Sequence, residues 1–379
     1  MSQAPARQSN EQPVIALLGR RDEPTDALED YCRYLANALR EHQIEMTLVR
    51  VAWEEQGWAA ALRSLRNQAS EWRGKWVLIQ YTALSWSQRG FPQRFQRVLK
   101  ILGGSGARIA IVFHDIEPYP GARAIDKLRR QVQLNTMRAA LRKADLAIFT
   151  VSLERISWLP KSFAKATFIP VGANLPIALD LESSSDAEPA DQSIAANRLL
   201  TIAVFGITGG QAGTRETHLI VNAARYVFQQ IGRFRLAVFG RYADFREAVL
   251  REGLKGLPID LSVEGVLSDR EIVERLCTSD VLLFLRGPIS SRRGSAIAAV
   301  ACGIPVVAFR GLETGPPMTG AGVAIVDEGD FIGLQNTLVR ILADSQFRAD
   351  LSREARDAYN RHFSWKAIAE RYAKALRCC

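Results

Sequence analysis

The chain has 379 residues, 47% hydrophobic and 23% charged, a globular composition with room for two cored domains at roughly 100–200 residues each. Its net charge of +9 is uneven, with 25 Lys and Arg against 16 Asp and Glu in residues 1–176 and 24 of each in residues 177–379. The excess on the first half points to an anionic partner, such as a membrane surface, a lipid phosphate or nucleic acid. The apolar run 296–309 is interrupted by Gly303 and Pro305 and falls short of the roughly 18 residues of a spanning helix. The polar start MSQAPARQSNEQ has no apolar core for a signal peptide. Five cysteines and four histidines are dispersed without metal-ligand spacing. Neither a metal nor a cofactor is therefore expected, and a reduced, cytoplasmic protein is.

Short β-branched runs alternate with helical patterns along the whole chain, which predicts a parallel α/β architecture. The first half carries strand candidates at Val14–Leu18, Met46–Val51, Trp76–Gln80, Ile109–His114, Leu146–Thr150 and Thr167–Pro170. Amphipathic helical segments fall at Ala27–Glu41, Pro92–Leu102 and Leu128–Lys143, the last two rich in Arg and Lys. The acidic, Ser- and Ala-rich stretch around Asp180–Asn197 reads as a linker. Strand candidates then resume at Leu200–Phe205, Leu236–Phe239, Leu261–Val263, Val281–Leu285, Pro305–Phe309 and Val323–Val326, with a helical segment at Asp269–Thr278. A last helical period runs over Phe363–Arg377 with no strand after it. The expected fold is two doubly wound, Rossmann-like parallel-sheet domains facing a cleft at their strand C-termini. The predicted boundaries are a tail at 1–12, an N-terminal domain at 13–178, a linker at 179–197, a C-terminal domain at 198–360 and a terminal helical segment at 361–379.

Two stretches carry chemistry. Residues 279–309 read as a strand, a polar turn, a helix starting near Ser295 and a break into a further strand. The turn Ser290-Ser291-Arg292-Arg293-Gly294-Ser295 sets hydroxyls, guanidinium groups and free N–H groups at a helix N-terminus, all of which favour an anion. The alternative reading is an exposed basic turn with Ser295 as the N-cap. The loop from Gly206 through Gly209 and Gly210 to Arg215 lets the backbone approach a phosphate closely. It lacks the spacing of the dinucleotide and P-loop motifs, and a plain tight connection is the alternative. Arg241 and Arg286 directly follow strands at the same end and could supplement a phosphate site or be surface arginines. In the first half, His114-Asp115 ends a strand, and Tyr81–Trp86 follows another at the same edge.

Residues 199–377 resemble the C-terminal half of a family-4 glycosyltransferase (glycosyl transferases group 1) with the GT-B fold, and residues 14–176 resemble its N-terminal half. The likeness rests on Ala299-Val300-Ala301-Cys302-Gly303-Ile304-Pro305-Val306-Val307-Ala308, on Gly265–Asp269, Ser279–Leu282 and Ile169–Asn174, and on Phe363-Ser364-Trp365. The resemblance implies a retaining, metal-independent transfer from a nucleotide-diphosphate sugar. It also implies a final helix that packs back on the N-terminal domain. The family's two donor-binding glutamates fall at Ser290 and Ala298, so both carboxylates are missing. Either the donor is held differently, with Arg292 and Arg293 on its diphosphate, or transferase activity has been lost.

The resulting expectation is a glycosyltransferase acting on a lipid-linked glycan or polysaccharide acceptor, peripheral to the inner membrane face through its basic N-terminal domain. His114, Arg215 and Arg292 are the catalytic candidates. Gly206, Gly209, Gly210, Arg215, Arg286, Ser290, Ser291, Arg292, Arg293, Gly294 and Ser295 are the candidates for holding the nucleotide sugar. A non-catalytic relative that binds a sugar nucleotide or glycan in a polysaccharide assembly is the alternative. Nucleic acid is not expected as a partner, because no recognition motif accompanies the charge.

Overall fold

A computed structural model describes residues 12–23, 25–119, 121, 123–176 and 198–378. The predicted linker, and the predicted tail apart from residue 12, lie outside the described residues. The chain divides into two compact units, residues 1–170 with 365–379, and residues 171–364.

Unit 1 holds a six-stranded sheet of β1 (Gln12–Leu18), β2 (Ile44–Arg50), β3 (Trp76–Tyr81), β4 (Arg108–Phe113), β5 (Leu146–Phe149) and β6 (Ala166–Phe168). All pairings are parallel, in the order β2-β1-β3-β4-β5-β6. Helices cover both faces of such a sheet, so its central strands are buried along their length rather than alternating; every residue of β3 is buried, Gln80 included. The covering helices are α1 (Ala27–Leu39), α2 (Trp53–Ala69), α3 (Phe95–Ser105) and α4 (Ala124–Lys143). The carboxylate of Asp26 caps α1 by accepting from the N–H groups of Leu28 and Glu29. Helix α2 is broken at Gly57, where φ is +74°. The helix expected from Pro92 begins at Phe95, because residues 92–97 first form tight turns in which Phe95 N–H donates to Pro92 O.

Unit 2 holds β7 (Thr201–Phe205), β8 (Arg235–Phe239), β9 (Asp260–Glu264), β10 (Val281–Phe284), β11 (Val306–Phe309) and β12 (Val323–Val326), parallel in the order β12-β11-β10-β7-β8-β9. Its helices are α5 (Gly210–Ile231), α6 (Glu247–Gly253), α7 (Asp269–Cys277), α8 (Gly294–Ala301), α9 (Phe331–Ala343) and α10 (Ser345–Ala358). Helix α7 starts on a capping box between Ser268 and Glu271. Each unit has its own apolar core, one built around Leu17, Ile79, Phe113 and Phe149, the other around Val204, Phe234, Leu283 and Val307.

The last helix, α11 (Trp365–Cys378), belongs to unit 1 and lies along α1. The buried hydroxyls of Tyr31 and Tyr372 meet at 2.8 Å. The Trp76 indole donates to Leu376 O at 3.0 Å, and Tyr34 stacks on Trp365 with centroids 5.6 Å apart. No described helix is long and apolar enough to cross a membrane.

Candidate functional site: half-buried arginines where the strand order reverses

In unit 2 the chain runs outward from β7 through β8 to β9, then returns to the other side of β7 as β10. Connections on the two sides of such a reversal diverge, leaving a crevice at the strand C-termini where open α/β sheets bind ligands. The loops that leave here, after β7 and after β10, are the two that the sequence singles out.

The loop after β7 turns at Gly206, with φ +75° and its N–H on Phe239 O at 2.7 Å. Gly209 is the N-cap of α5 and offers no side-chain cap; Gly210 has φ +65°. Gly213 is forced: a Cβ there would stand 1.7 Å from Thr208 O. Glu216, buried on the inner face of α5, fastens the loop by accepting from Thr208 N–H at 2.8 Å. Arg215, its neighbour, stands on the exposed face. Arg246 instead supplies a guanidinium to the loop, on Gly210 O at 2.8 Å and Thr214 Oγ1 at 3.1 Å.

After β10 the chain passes through Arg286 and Gly287 to the turn at residues 290–295. Ser290 and Ser291 are buried, and Ser291 O accepts from Val171 N–H at 3.0 Å. Helix α8 begins at Gly294 with Arg293 as its N-cap. The alternative of Ser295 as the capping residue is thus overturned, because the chain turns helical one residue earlier and no side chain caps it. Ala298 is buried within α8 and offers no side-chain acceptor. Arg292 grips Glu313 through Nε and Nη2 at 2.7 and 2.9 Å. Burial works against the charge on Glu313, yet the hydrogen bonds and charge of Arg292 hold its carboxyl below the ordinary value. The fully buried Ser290 hydroxyl lies beside the same carboxylate without a hydrogen bond of regular geometry.

Arg286 and Arg293 differ from Arg292 in making no ion pair among the described residues. The Arg286 guanidinium lies against Gly206, and that of Arg293 against Gly287, where the missing side chains leave space. Arg293 Nε donates to Pro288 O at 3.1 Å. Burial lowers the pKa of both. Arg293 is pushed down to about 10 by burial and by Arg292 and Arg286, with Glu313 and Glu216 pulling upward. Arg286 is lowered by burial and Arg241, opposed by Glu216 and Tyr242. Even part-burial of a guanidinium without a hydrogen-bonded counter-ion is unfavourable, and an anion in this crevice would offset that cost.

The structure thus brings together Gly206, Arg286, Arg292 and Arg293. Glu216, Glu313 and Arg246 join them and were missed, being ordinary helix or loop residues in sequence. His114 lies in unit 1, half-buried at the end of β4. It is hydrogen bonded to Gln80 Oε1 at 2.8 Å and set edge-on to Tyr31 at 5.2 Å. Asp115 accepts from Ala83 N–H and ties down the loop after β3. Among the described residues no cluster of three His, Cys, Asp or Glu side chains is placed to hold a metal ion.

No protein-family profile matches the chain, and no curated protein matches it in sequence. Solved structures do match it in fold. Sucrose-phosphate synthase from Thermosynechococcus elongatus is similar with a TM-score of 0.68 at 17% identity, over 97% of this chain and 99% of its own. HepE of Anabaena, in complex with UDP and glucose, is similar with a TM-score of 0.65 at 14% identity, over 97% of this chain and all of its own. UDP-GlcNAc 2-epimerase from Neisseria meningitidis, bound to UDP-GlcNAc, follows with a TM-score of 0.61 at 11% identity and 97% coverage of this chain. At these identities the likeness defines the fold, two Rossmann-like units of the GT-B class.

Proposed function

We propose that the chain is a glycosyltransferase that binds a nucleotide-diphosphate sugar in unit 2 and a glycan acceptor, lipid-linked or polysaccharide, through unit 1. The observation that carries this reading is the pair of half-buried arginines, Arg286 and Arg293, which make no ion pair among the described residues and stand at the strand-order reversal. Their guanidinium groups suit a diphosphate, since Arg pairs bidentately with phosphate oxygens. The same charges would stabilise the departing diphosphate in the transition state, which is the basis for proposing transfer without a metal. Retention of configuration is what the family resemblance implies. Glu313 is proposed to supply, from a separate loop, a carboxylate beside Ser290 in place of the glutamate absent from position 290. Arg292, engaged by Glu313, orients that carboxylate, and Gly206, Gly209 and Gly210 let the loop approach the phosphates. Arg215 contributes long-range positive potential, and His114 is assigned a contact to the transferred sugar.

The exposed cations of α3 and α4, among them Arg97, Lys100, Arg138 and Arg142, support contact with an anionic bilayer at about 1 kcal/mol each. Cosedimentation with phosphatidylglycerol vesicles, falling with salt, tests that contact. The second reading, a sugar-nucleotide-binding protein without turnover, is favoured by Ala298. Binding and turnover separate the two. UDP and UDP-glucose are expected to raise Tm in proportion to the logarithm of their concentration. Arg286→Ala and Arg293→Ala should each weaken UDP binding about 10- to 100-fold, the loss of one charge-assisted hydrogen bond or two. Unchanged affinity in both variants removes the donor site. Binding intact but no sugar nucleotide of a panel consumed, with membranes added, leaves the non-catalytic reading.

A further inference from the structure

Unit 1 has a strand-order reversal of its own, between β1 and β3, but its crevice is closed. A Cβ at Gly19 would stand 2.2 Å from Ser85 O, and Arg20 N–H donates to that same oxygen at 2.8 Å. The open space lies beside it, between the start of α2 and residues 86–94, in a pocket of about 510 Å³. That volume falls within the roughly 300–1,000 Å³ of small-ligand sites.

Its walls are aromatic and its rim is polar. Trp53, Trp58, Trp86 and Phe91 all line it. Trp53 and Trp58 are stacked at 5.1 Å and 10°. The indole N–H groups of Trp53 and Trp86 are turned into the protein, donating to Ser85 O at 2.9 Å and Gln80 O at 3.0 Å. These two rings are buried and form the backing of the pocket, so the aromatic carbon surface open to a ligand is that of the half-buried Trp58 and Phe91. At the rim, Glu54 Oε1 accepts from Gln88 Nε2 at 2.9 Å, and Arg20 stands 3.8 Å from the same carboxylate. Arg89 and Arg94 also line the pocket and are exposed, so the rim carries more positive than negative charge. Gly57, with φ +74° and no atom within 4 Å of where its Cβ would be, keeps the mouth open.

We propose that this pocket binds a pyranose oligosaccharide bearing an anionic group. The partly positive C–H hydrogens of a sugar's apolar face suit the electron-rich face of an aromatic ring such as Trp58. The carboxylate and amide of Glu54 and Gln88 match vicinal hydroxyls, and the guanidinium groups of Arg89 and Arg94 match a carboxylate or phosphate. An alkyl chain would leave the polar rim unused. The inference deepens the acceptor half of the function proposed above and rests on that reading.

Titration of the protein with trigalacturonate, followed by tryptophan fluorescence, tests it, with cellotriose and hexyl phosphate as comparisons. Saturable quenching by trigalacturonate is expected, at least ten-fold weaker binding of cellotriose, and no competition from hexyl phosphate. Trp58→Ala should abolish the response. Because Trp58 also packs against the core, the exposed double variant R89A/R94A provides a second arm and should weaken trigalacturonate about ten-fold at unchanged Tm. No saturable response to either saccharide, equal binding of the two, competition by hexyl phosphate, or full affinity in R89A/R94A each overturns the proposal. UDP binding measured on the same preparation keeps the two readings apart. Intact UDP binding without a saccharide response removes the pocket alone, and loss of UDP binding removes the donor site.

Discussion

The guanidinium of Arg286 lies across the α-carbon of Gly206, and a Cβ at residue 206 would stand 2.9 Å from Arg286 Nη1. The residue also holds φ at +75°, a conformation that costs other residue types about 1–3 kcal/mol. Gly206→Ala is therefore expected to lower stability by that amount and to displace Arg286. UDP affinity should fall about ten-fold in the same variant, from the loss of roughly one favourable contact. Calorimetry and thermal unfolding check the two effects. A stable variant with full UDP affinity would show that Arg286 does not need this position to hold the anion.

The pair Arg292–Glu313 has a different role, since its charges already satisfy each other. Removing one partner of a fully buried pair costs about 3–5 kcal/mol, whereas this pair is part-buried. Glu313→Ala is therefore expected to lose about 1–3 kcal/mol, and the isosteric Glu313→Gln less. The pH dependence follows from the depressed pKa of Glu313. Its stabilisation is complete above the ordinary value of 4.5 and is lost as pH falls through the lower value of the folded state. Stability curves of wild type and E313Q are expected to converge as pH is lowered below about 4.5. Curves that stay parallel to pH 3 or so would show that the carboxylate does not respond to its partner.

How far the sequence disclosed this site depends on which forces built it. The central strands were readable because a parallel sheet covered on both faces requires continuous apolar runs such as Leu146–Phe149 and Val281–Phe284. The glycine loop after β7 and the Ser-Ser-Arg-Arg turn after β10 were readable as local composition. What was not readable is pairing across distance. Glu313 is 21 residues beyond Arg292, and nothing in its own neighbourhood marks it as that residue's counter-ion. Glu216 and Arg215 are adjacent on one helix, and only packing decides that the carboxylate turns inward and the guanidinium outward. Arg293 as N-cap was also hidden, because a cation at a helix N-terminus opposes the dipole. Local rules therefore favoured Ser295.

The hydroxyls of Tyr31 and Tyr372 tie α11 to α1, 341 residues apart in sequence, at 2.8 Å in a fully buried position. Burial holds both phenols protonated well above their usual range. Removing one hydroxyl leaves a buried polar group alone and should cost about 1–3 kcal/mol, while removing both should be nearly neutral. Tyr31→Phe and Tyr372→Phe are thus expected to be strongly non-additive in a double-mutant cycle, with the double variant more stable than either single. Additive losses in denaturant unfolding would mean that the two hydroxyls do not depend on each other.

Cys277, exposed at the C-terminal end of α7, has Cys302, at the C-cap of α8, as its titrating neighbour. The neighbouring Cys302 thiol draws Cys277 down to about 7, against the opposing effect of burial. Cys302 is raised by Cys277 and by burial. Because the thiolate is the nucleophile, Cys277 should alkylate with iodoacetamide ahead of the exposed Cys378. Its rate should rise through a midpoint near pH 7. Replacing the partner by Cys302→Ala removes the neighbour that favours the thiolate. The midpoint should then move up toward the ordinary thiol value of 9.0, with slower labelling at neutral pH. Peptide mass spectrometry over a pH series reads each site separately. An unshifted midpoint in C302A would place the cause of the reactivity elsewhere than in the Cys302 contact.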